Sequence, residues 1–166
     1  ARAGGTLLRG GAFKPRTSPY AFAGHGREAL RWLRAAADRH GLGVVTEALS
    51  EADVAAVAEV ADLVQVGSRN MQNFALLQAI GRTGRPALLK RGRAATLAEW
   101  RAAAEHLLVA GAAGVILCER GIAGQDPELR NTLDLSAVAL LKHVDRLAVL
   151  VDPSHAAGRR DLIEPL

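Results

Sequence analysis

The chain has one cysteine, Cys118, three lysines (Lys14, Lys90 and Lys142), few aromatic residues and no apolar run approaching membrane-spanning length. Each scarcity excludes something. A lone cysteine permits neither a disulfide framework nor a Cys-x-x-Cys metal cluster, so Cys118 is expected as a small buried hydrophobe. A membrane span needs about 20 consecutive apolar residues, and no basic-then-apolar signal segment opens the chain. The expectation is a cytoplasmic protein with no membrane partner. The net charge is +4, yet the basic residues are scattered and aromatics make up only 4% of the sequence. Neither a basic stripe nor a stacking surface is present, so no nucleic-acid partner is expected.

What is abundant is apolar: 49% of the 166 residues, enough for one domain with a real core. Short β-rich runs alternate with longer helical patterns, the signature of βα units around a parallel sheet. The runs fall at 6–13, 43–48, 63–66, 87–89, 115–118 and 147–151. Several are solidly apolar, as parallel strands covered on both faces must be. The stretch 27–40 places Leu30, Leu33 and Ala37 on one helical stripe with Gly41 as its stop. Ser50, Asn70, Thr96 and Ser136 are predicted helix N-caps, with Thr96 and Glu99 at capping-box spacing, and Gly81 and Gly111 are predicted helix ends. A complete (β/α)8 barrel takes about 250 residues. Six units in this length therefore predict an α/β fold of the TIM-barrel type that is incomplete, lacking its first and last strands. Residues 1–166 are read as the central part of one catalytic domain. A complete doubly wound sheet is the alternative, but no Gly-x-Gly-x-x-Gly turn follows the first run.

Every run is followed by polar or charged residues: Lys14 to Thr17, Glu47, Gly67 to Asn70, Lys90 and Arg91, Glu119 and Arg120, and Asp152 to His155. In a parallel barrel the C-terminal strand ends open on one face, so these residues are expected to converge on one mouth. Arg69, Lys90 and Arg120 clustered in a partly desolvated cleft call for dianionic partners, and substrate phosphate and carboxylate groups answer that need. Where arginine is so strongly preferred, Lys14 and Lys90 stand out as positions that require a compact ammonium. Glu47 reads equally as a salt-bridge partner or a proton-transfer group. Of the five histidines, His155 is the best metal candidate because it alone follows a strand run at that face.

The segment Arg-Gly-Gly-Ala-Phe-Lys-Pro-Arg-Thr at Arg9 to Thr17 resembles the erythrose-phosphate loop of the 3-deoxy-D-arabino-heptulosonate 7-phosphate (DAHP) synthases. Gly-Ser-Arg-Asn at Gly67, Leu-Leu-Lys-Arg-Gly at Leu88, Ile-Leu-Cys-Glu-Arg-Gly at Ile116 and Asp-Pro-Ser-His-Ala-Ala-Gly-Arg-Arg at Asp152 resemble the same family in order and spacing. The resemblance is to the short bacterial branch, which is also similar to 3-deoxy-D-manno-octulosonate 8-phosphate (KDO8P) synthase; Lys-Pro-Arg-Thr argues against the latter, which carries an Ala-Asn-Arg-Ser type sequence there. It implies a transferase that condenses phosphoenolpyruvate with erythrose 4-phosphate at the start of the shikimate pathway. It further implies that Arg9, Lys14, Arg69, Lys90 and Arg120 hold phosphoenolpyruvate, that Pro15, Arg16 and Thr17 hold the aldose phosphate, and that Lys14 serves as proton donor. His155 is implied as one ligand of a divalent metal (Mn, Fe, Zn or Co), the remaining ligands lying outside the chain, and the parent protein as a homo-oligomer. The alternatives are KDO8P synthase, another phosphosugar barrel enzyme such as a Schiff-base aldolase using Lys14 or Lys90, or a non-catalytic phosphate-binding remnant.

Overall fold

A computed structural model describes residues 4–166. Six strands, β1 (Leu7–Arg9), β2 (Gly43–Glu47), β3 (Leu63–Val66), β4 (Ala87–Lys90), β5 (Val115–Glu119) and β6 (Val149–Val151), form one parallel sheet in chain order. Helices α1 (Arg27–His40), α2 (Glu51–Val60), α3 (Phe74–Gly81), α4 (Leu97–Val109), α5 (Leu135–Ala139) and α6 (Pro153–Ala157) alternate with them. The sheet curls as a partial (β/α)8 barrel and leaves β1 and β6 as open edges, where Leu7 and Leu150 remain exposed.

Parallel pairing puts partner side chains on the same face, so the register sorts the two faces. The inner face carries Val45, Leu63, Leu88 and Cys118, packed as a small apolar cluster with Ile116. The outer face carries Val64, Val66, Ala87, Leu89 and Leu117, which meet the helices in the larger core around Trp100, Leu76 and Ile80. Trp100 is fully buried from α4, and its indole N–H donates to the Leu89 carbonyl at 3.2 Å. That bond removes the cost of sinking a polar tip into an apolar layer.

Several local expectations are borne out. Gly41 adopts the left-handed cap after α1, and Thr96 and Glu99 form a reciprocal capping box on α4. Others are corrected. Asn73, not Asn70, caps α3, because Ser68–Asn70 forms a separate 3-10 turn and Asn70 instead reaches the Leu49 carbonyl. Asp134, not Ser136, caps α5, accepting from Ala137 N at 2.9 Å. α3 does end at Gly81 as expected, though without a left-handed cap, and a Cβ there would come within 2.6 Å of the Leu107 carbonyl oxygen, so the glycine also permits close packing against α4. The first run is also shorter than predicted: the strand stops at Arg9, and residues 10–26 fold back as a loop.

That loop is closed by two backbone bonds, Lys14 N to Ala23 O at 2.8 Å and Gly26 N to Ala12 O at 2.9 Å. Between them Gly24 sits at φ +101°, where a Cβ would lie 2.1 Å from the Ala12 carbonyl oxygen. Gly24→Ala is expected to lower the stability of the full-length protein carrying these residues by about 1–3 kcal/mol and to loosen the loop. Thermal unfolding together with amide exchange at Lys14 checks this.

Candidate active site

The strand alternation divides the charged residues at the C-terminal ends into two sets. Lys90 ends β4 on the inner face and is only 5% exposed, and its ammonium pairs with Asp152, the residue after β6. Asp152 is the hub of the mouth. Its Oδ1 accepts from His155 N at 3.1 Å, capping α6, while its Oδ2 faces His155 Nδ1 at 2.7 Å. Burial opposes ionisation of Asp152, but the hydrogen bonds from His155 and Lys90 outweigh it and hold the carboxyl well below its ordinary value. His155 keeps its imidazole 41% exposed, with Nδ1 occupied by Asp152. An imidazole oriented through one nitrogen by a carboxylate, its other nitrogen unengaged, has the chemistry of a metal ligand.

A second chain of contacts runs across β1, β2 and β3. Arg9 Nε donates to Gln65 Oε1 at 2.7 Å, and Gln65 Nε2 donates to Glu47 Oε2 at 2.8 Å. Burial pushes the Glu47 carboxyl above its usual value, with Arg9, Lys90, Gln65 and Lys14 pulling the other way. Among the described residues Glu47 is in neither a direct ion pair with Lys90 nor one with an arginine; its partner is the Gln65 amide. A Cβ on Gly67 would fall 2.1 Å from Glu47 Oε1, so the glycine of the Gly-Ser-Arg-Asn segment makes room for this carboxylate.

Arg69 reaches over the first loop, donating to the Pro15 carbonyl at 2.9 Å and to Thr17 Oγ1 at 3.3 Å. Arg16 Nε closes the same loop on the Phe22 carbonyl at 2.9 Å. Arg120 follows β5 and is 5% exposed, yet within the described residues its guanidinium bonds only the Gly121 carbonyl, at 3.1 Å. Burial lowers its pKa; Asp152 raises it, and Arg130 and Arg93 lower it further. Arg120, which Glu119 also pulls upward, is therefore a desolvated cation with charges of both signs nearby and no ion pair among the described residues, a setting that suits a bound anion.

Two residues expected at the mouth are not there. Arg91 and Glu119 fall on the outer face, where Arg91 Nη1 bonds Glu119 Oε2 and Asp134 Oδ2, both at 3.0 Å, and the guanidinium lies 5.6 Å from the centre of the Trp100 ring. Glu119 Oε1 also accepts from Gly121 N at 2.7 Å, so the pair braces the turn that presents Arg120. Cys118 is confirmed as a buried hydrophobe, its thiol pushed up to about 11 by burial. Sequence reasoning missed Gln65, Arg93 and Asn131. Gln65 left a signal, as a lone polar residue inside an apolar run. A cleft of about 370 Å³ beside Arg69 and Arg93 includes neither Lys90 nor Arg120.

Because the Asp152 carboxyl is depressed, the stability it supplies is fully present above its unfolded value, near pH 4, and lost as pH falls through the lower native value. Asp152→Asn is expected to flatten that acid limb. It should also cost roughly 3 kcal/mol at neutral pH, the low end for breaking a buried pair, because Lys90 is left without its partner. Acid and urea unfolding of the full-length protein at several pH values measures both.

Comparison with known proteins agrees with the geometry. The family model described as the DAHP synthetase I family matches residues 2–165. The phospho-2-dehydro-3-deoxyheptonate aldolase of Thermotoga maritima is 53% identical over 160 residues, covering 96% of this chain and 47% of that protein. The 2-dehydro-3-deoxyphosphooctonate aldolase of Chromobacterium violaceum is 30% identical over 149 residues, covering 88% of this chain and 52% of that protein. A crystal structure of the Thermotoga maritima DAHP synthase superimposes with a TM-score of 0.92 at 50% identity, over 99% of this chain and 47% of that one. The chain thus spans about half the length of the relatives it resembles. With its motifs, its partial barrel and these likenesses in agreement, the chain belongs to the DAHP synthetase I family.

Proposed function

We propose that the full-length protein carrying this chain is a DAHP synthase, joining phosphoenolpyruvate to erythrose 4-phosphate and releasing phosphate, and that residues 1–166 are the central part of its catalytic domain. The observation that carries the reading is Arg120, a buried guanidinium with no ion pair among the described residues, whose charge is felt by Arg130, Arg93 and the Asp152 that pairs with Lys90. Such an arrangement is suited to a phosphorylated, carboxylated substrate, whose negative groups supply the missing charge.

In this reading Arg9, Lys14, Arg69, Lys90 and Arg120 bind phosphoenolpyruvate through its phosphate and carboxylate. Pro15, Arg16 and Thr17 hold the aldose phosphate, in a loop that Arg69 already ties down. Phosphoenolpyruvate C3 attacks the aldehyde, water adds at C2, and phosphate leaves. Lys14, whose ammonium forms no side-chain hydrogen bond among the described residues, donates the proton to the developing alkoxide. Fixed cations in a dry cleft act on the developing charge without having to reorganise, which is why they outperform water.

The family is generally metal-dependent. His155 fits that requirement as one ligand, because its Nδ1 is fixed by Asp152. No group of three or more metal-ligating side chains occurs among the described residues; in this reading the remaining ligands lie outside the chain. A bound divalent ion supplies Lewis-acid polarisation of the aldehyde. No helix among the described residues is long and apolar enough to cross a membrane; a cytoplasmic homo-oligomer is the form we propose.

Lys90 also bears on the Schiff-base alternative. Its ammonium is engaged by an ionised Asp152, the opposite of the free amine a carbinolamine-forming lysine needs. The full-length protein with Mn²⁺ should release phosphate from phosphoenolpyruvate and erythrose 4-phosphate, and borohydride should trap no adduct. Lys90→Ala and Arg120→Ala should each lower kcat by about 10²–10³-fold. Near-normal turnover in either variant refutes its role, and a preference for arabinose 5-phosphate over erythrose 4-phosphate replaces this reading with KDO8P synthase.

A further inference from the structure

Asn131 lies on none of the strands and belongs to none of the motifs that mark the site, yet it is 4% exposed and uses both ends of its amide. Its Nδ2 donates to the His155 carbonyl at 2.8 Å, and its Oδ1 accepts from Arg93 Nε at 3.0 Å. Its backbone N–H donates to the Ala156 carbonyl at 3.1 Å. The third wall is Gly121, at φ +89°, where a Cβ would come within 2.7 Å of Asn131 Cβ. The segment carrying Asn131 is itself anchored: Ile122 and Thr132 exchange backbone hydrogen bonds at 2.9 Å, and Ala123 N donates to the Arg93 carbonyl at 2.7 Å. One buried side chain thus touches the loop after β4, the turn after β5 beside Arg120, and the turn after β6 that carries His155.

We propose that Asn131 is a positioning residue that clamps the His155 turn to the Arg93 loop, so that metal affinity at His155 depends on an amide that never touches the metal. The proposal rests on the synthase reading given above. Two carbonyl groups of the His155 turn, those of His155 and Ala156, are held by Asn131, while Asp152 holds the backbone N–H and the ring of His155. The histidine is therefore fixed from two sides, by a carboxylate on its own turn and by an amide from a different loop. Outer partners of this kind govern ligand orientation, and their loss typically weakens metal binding by about 10–100-fold.

The clamp and a merely electrostatic role for Arg93 make opposite predictions. Removing a cation from the neighbourhood of a metal site should tighten binding of a divalent cation by Coulomb's law. If Arg93 acts by holding Asn131, its removal should weaken that binding instead.

The test is Mn²⁺ titration of the full-length protein, followed by loss of the free-ion EPR signal. Asn131→Asp keeps the shape and the Arg93 bond but sets a carboxylate oxygen against the His155 carbonyl, and it should raise the Mn²⁺ dissociation constant about tenfold. Arg93→Gln, at an exposed position, should also weaken Mn²⁺ binding. Gly41→Ala, which strains the left-handed cap of α1 at the opposite, N-terminal end of the strands, serves as a destabilised control that should lower Tm and leave the Mn²⁺ constant unchanged. An unchanged constant in Asn131→Asp, or tighter binding in Arg93→Gln, overturns the clamp. Product formation by the wild type alongside either of those results leaves the synthase reading standing while the clamp falls. Weakened Mn²⁺ binding in both variants of a wild type that makes no product does the reverse, and a wild type that binds no Mn²⁺ overturns both.

Discussion

The burial of Lys90 is the constraint around which the mouth of the barrel is organised. An ammonium at the end of a central strand, 5% exposed, has lost nearly all its water and must find a carboxylate. Asp152 supplies it from two strands away, across β5, and in doing so acquires its own fixed position. From that position the same carboxylate caps α6 and orients the His155 ring. A substrate-binding candidate and a metal-ligand candidate are thus joined through one group, so the geometry of each is set by the other.

The outer face repeats the arrangement with a different purpose. Arg91 and Glu119 stand one residue along from Lys90 and one residue before Arg120, and strand alternation sends them into the helical layer. There they are satisfied by each other, by Asp134 and by Gly121 N, with Trp100 packed beneath the guanidinium. A closed network of this kind braces the strand ends without competing for ligand. Arg120 is left in the opposite condition, buried with no ion pair among the described residues. The contrast between a satisfied arginine and one without an ion pair, on neighbouring strands, distinguishes the two faces more sharply than exposure alone does.

Much of this was legible in the sequence because the periodicities are local. The alternation of short apolar runs with helical stripes gave the strand order, and α1 and β3 begin and end where the pattern placed them. Errors gathered where two local signals competed. Asn70 and Asn73 are both good caps, and only the intervening 3-10 turn selects the second. Ser136 and Asp134 pose the same choice at α5. Arg91 and Glu119 stand at the ends of their runs like the mouth residues, but the two-residue alternation of a strand turns both side chains to the outer face. Gln65 was visible as an anomaly but not as a link, since its two partners lie on different strands.

By itself the sequence determined the class of fold, the face on which chemistry gathers and the identity of most candidate residues, because all three follow from spacing and residue type within a few dozen positions. Only the tertiary structure decided which charges are paired. Lys90 and Asp152 are 62 residues apart, Arg9 and Gln65 are 56 apart, and Asn131 meets Arg93 and His155 at separations of 38 and 24. No local propensity encodes such meetings. They arise from the register of a parallel sheet, which brings the ends of distant strands side by side and leaves each buried charge to be met by whatever the neighbouring strands present.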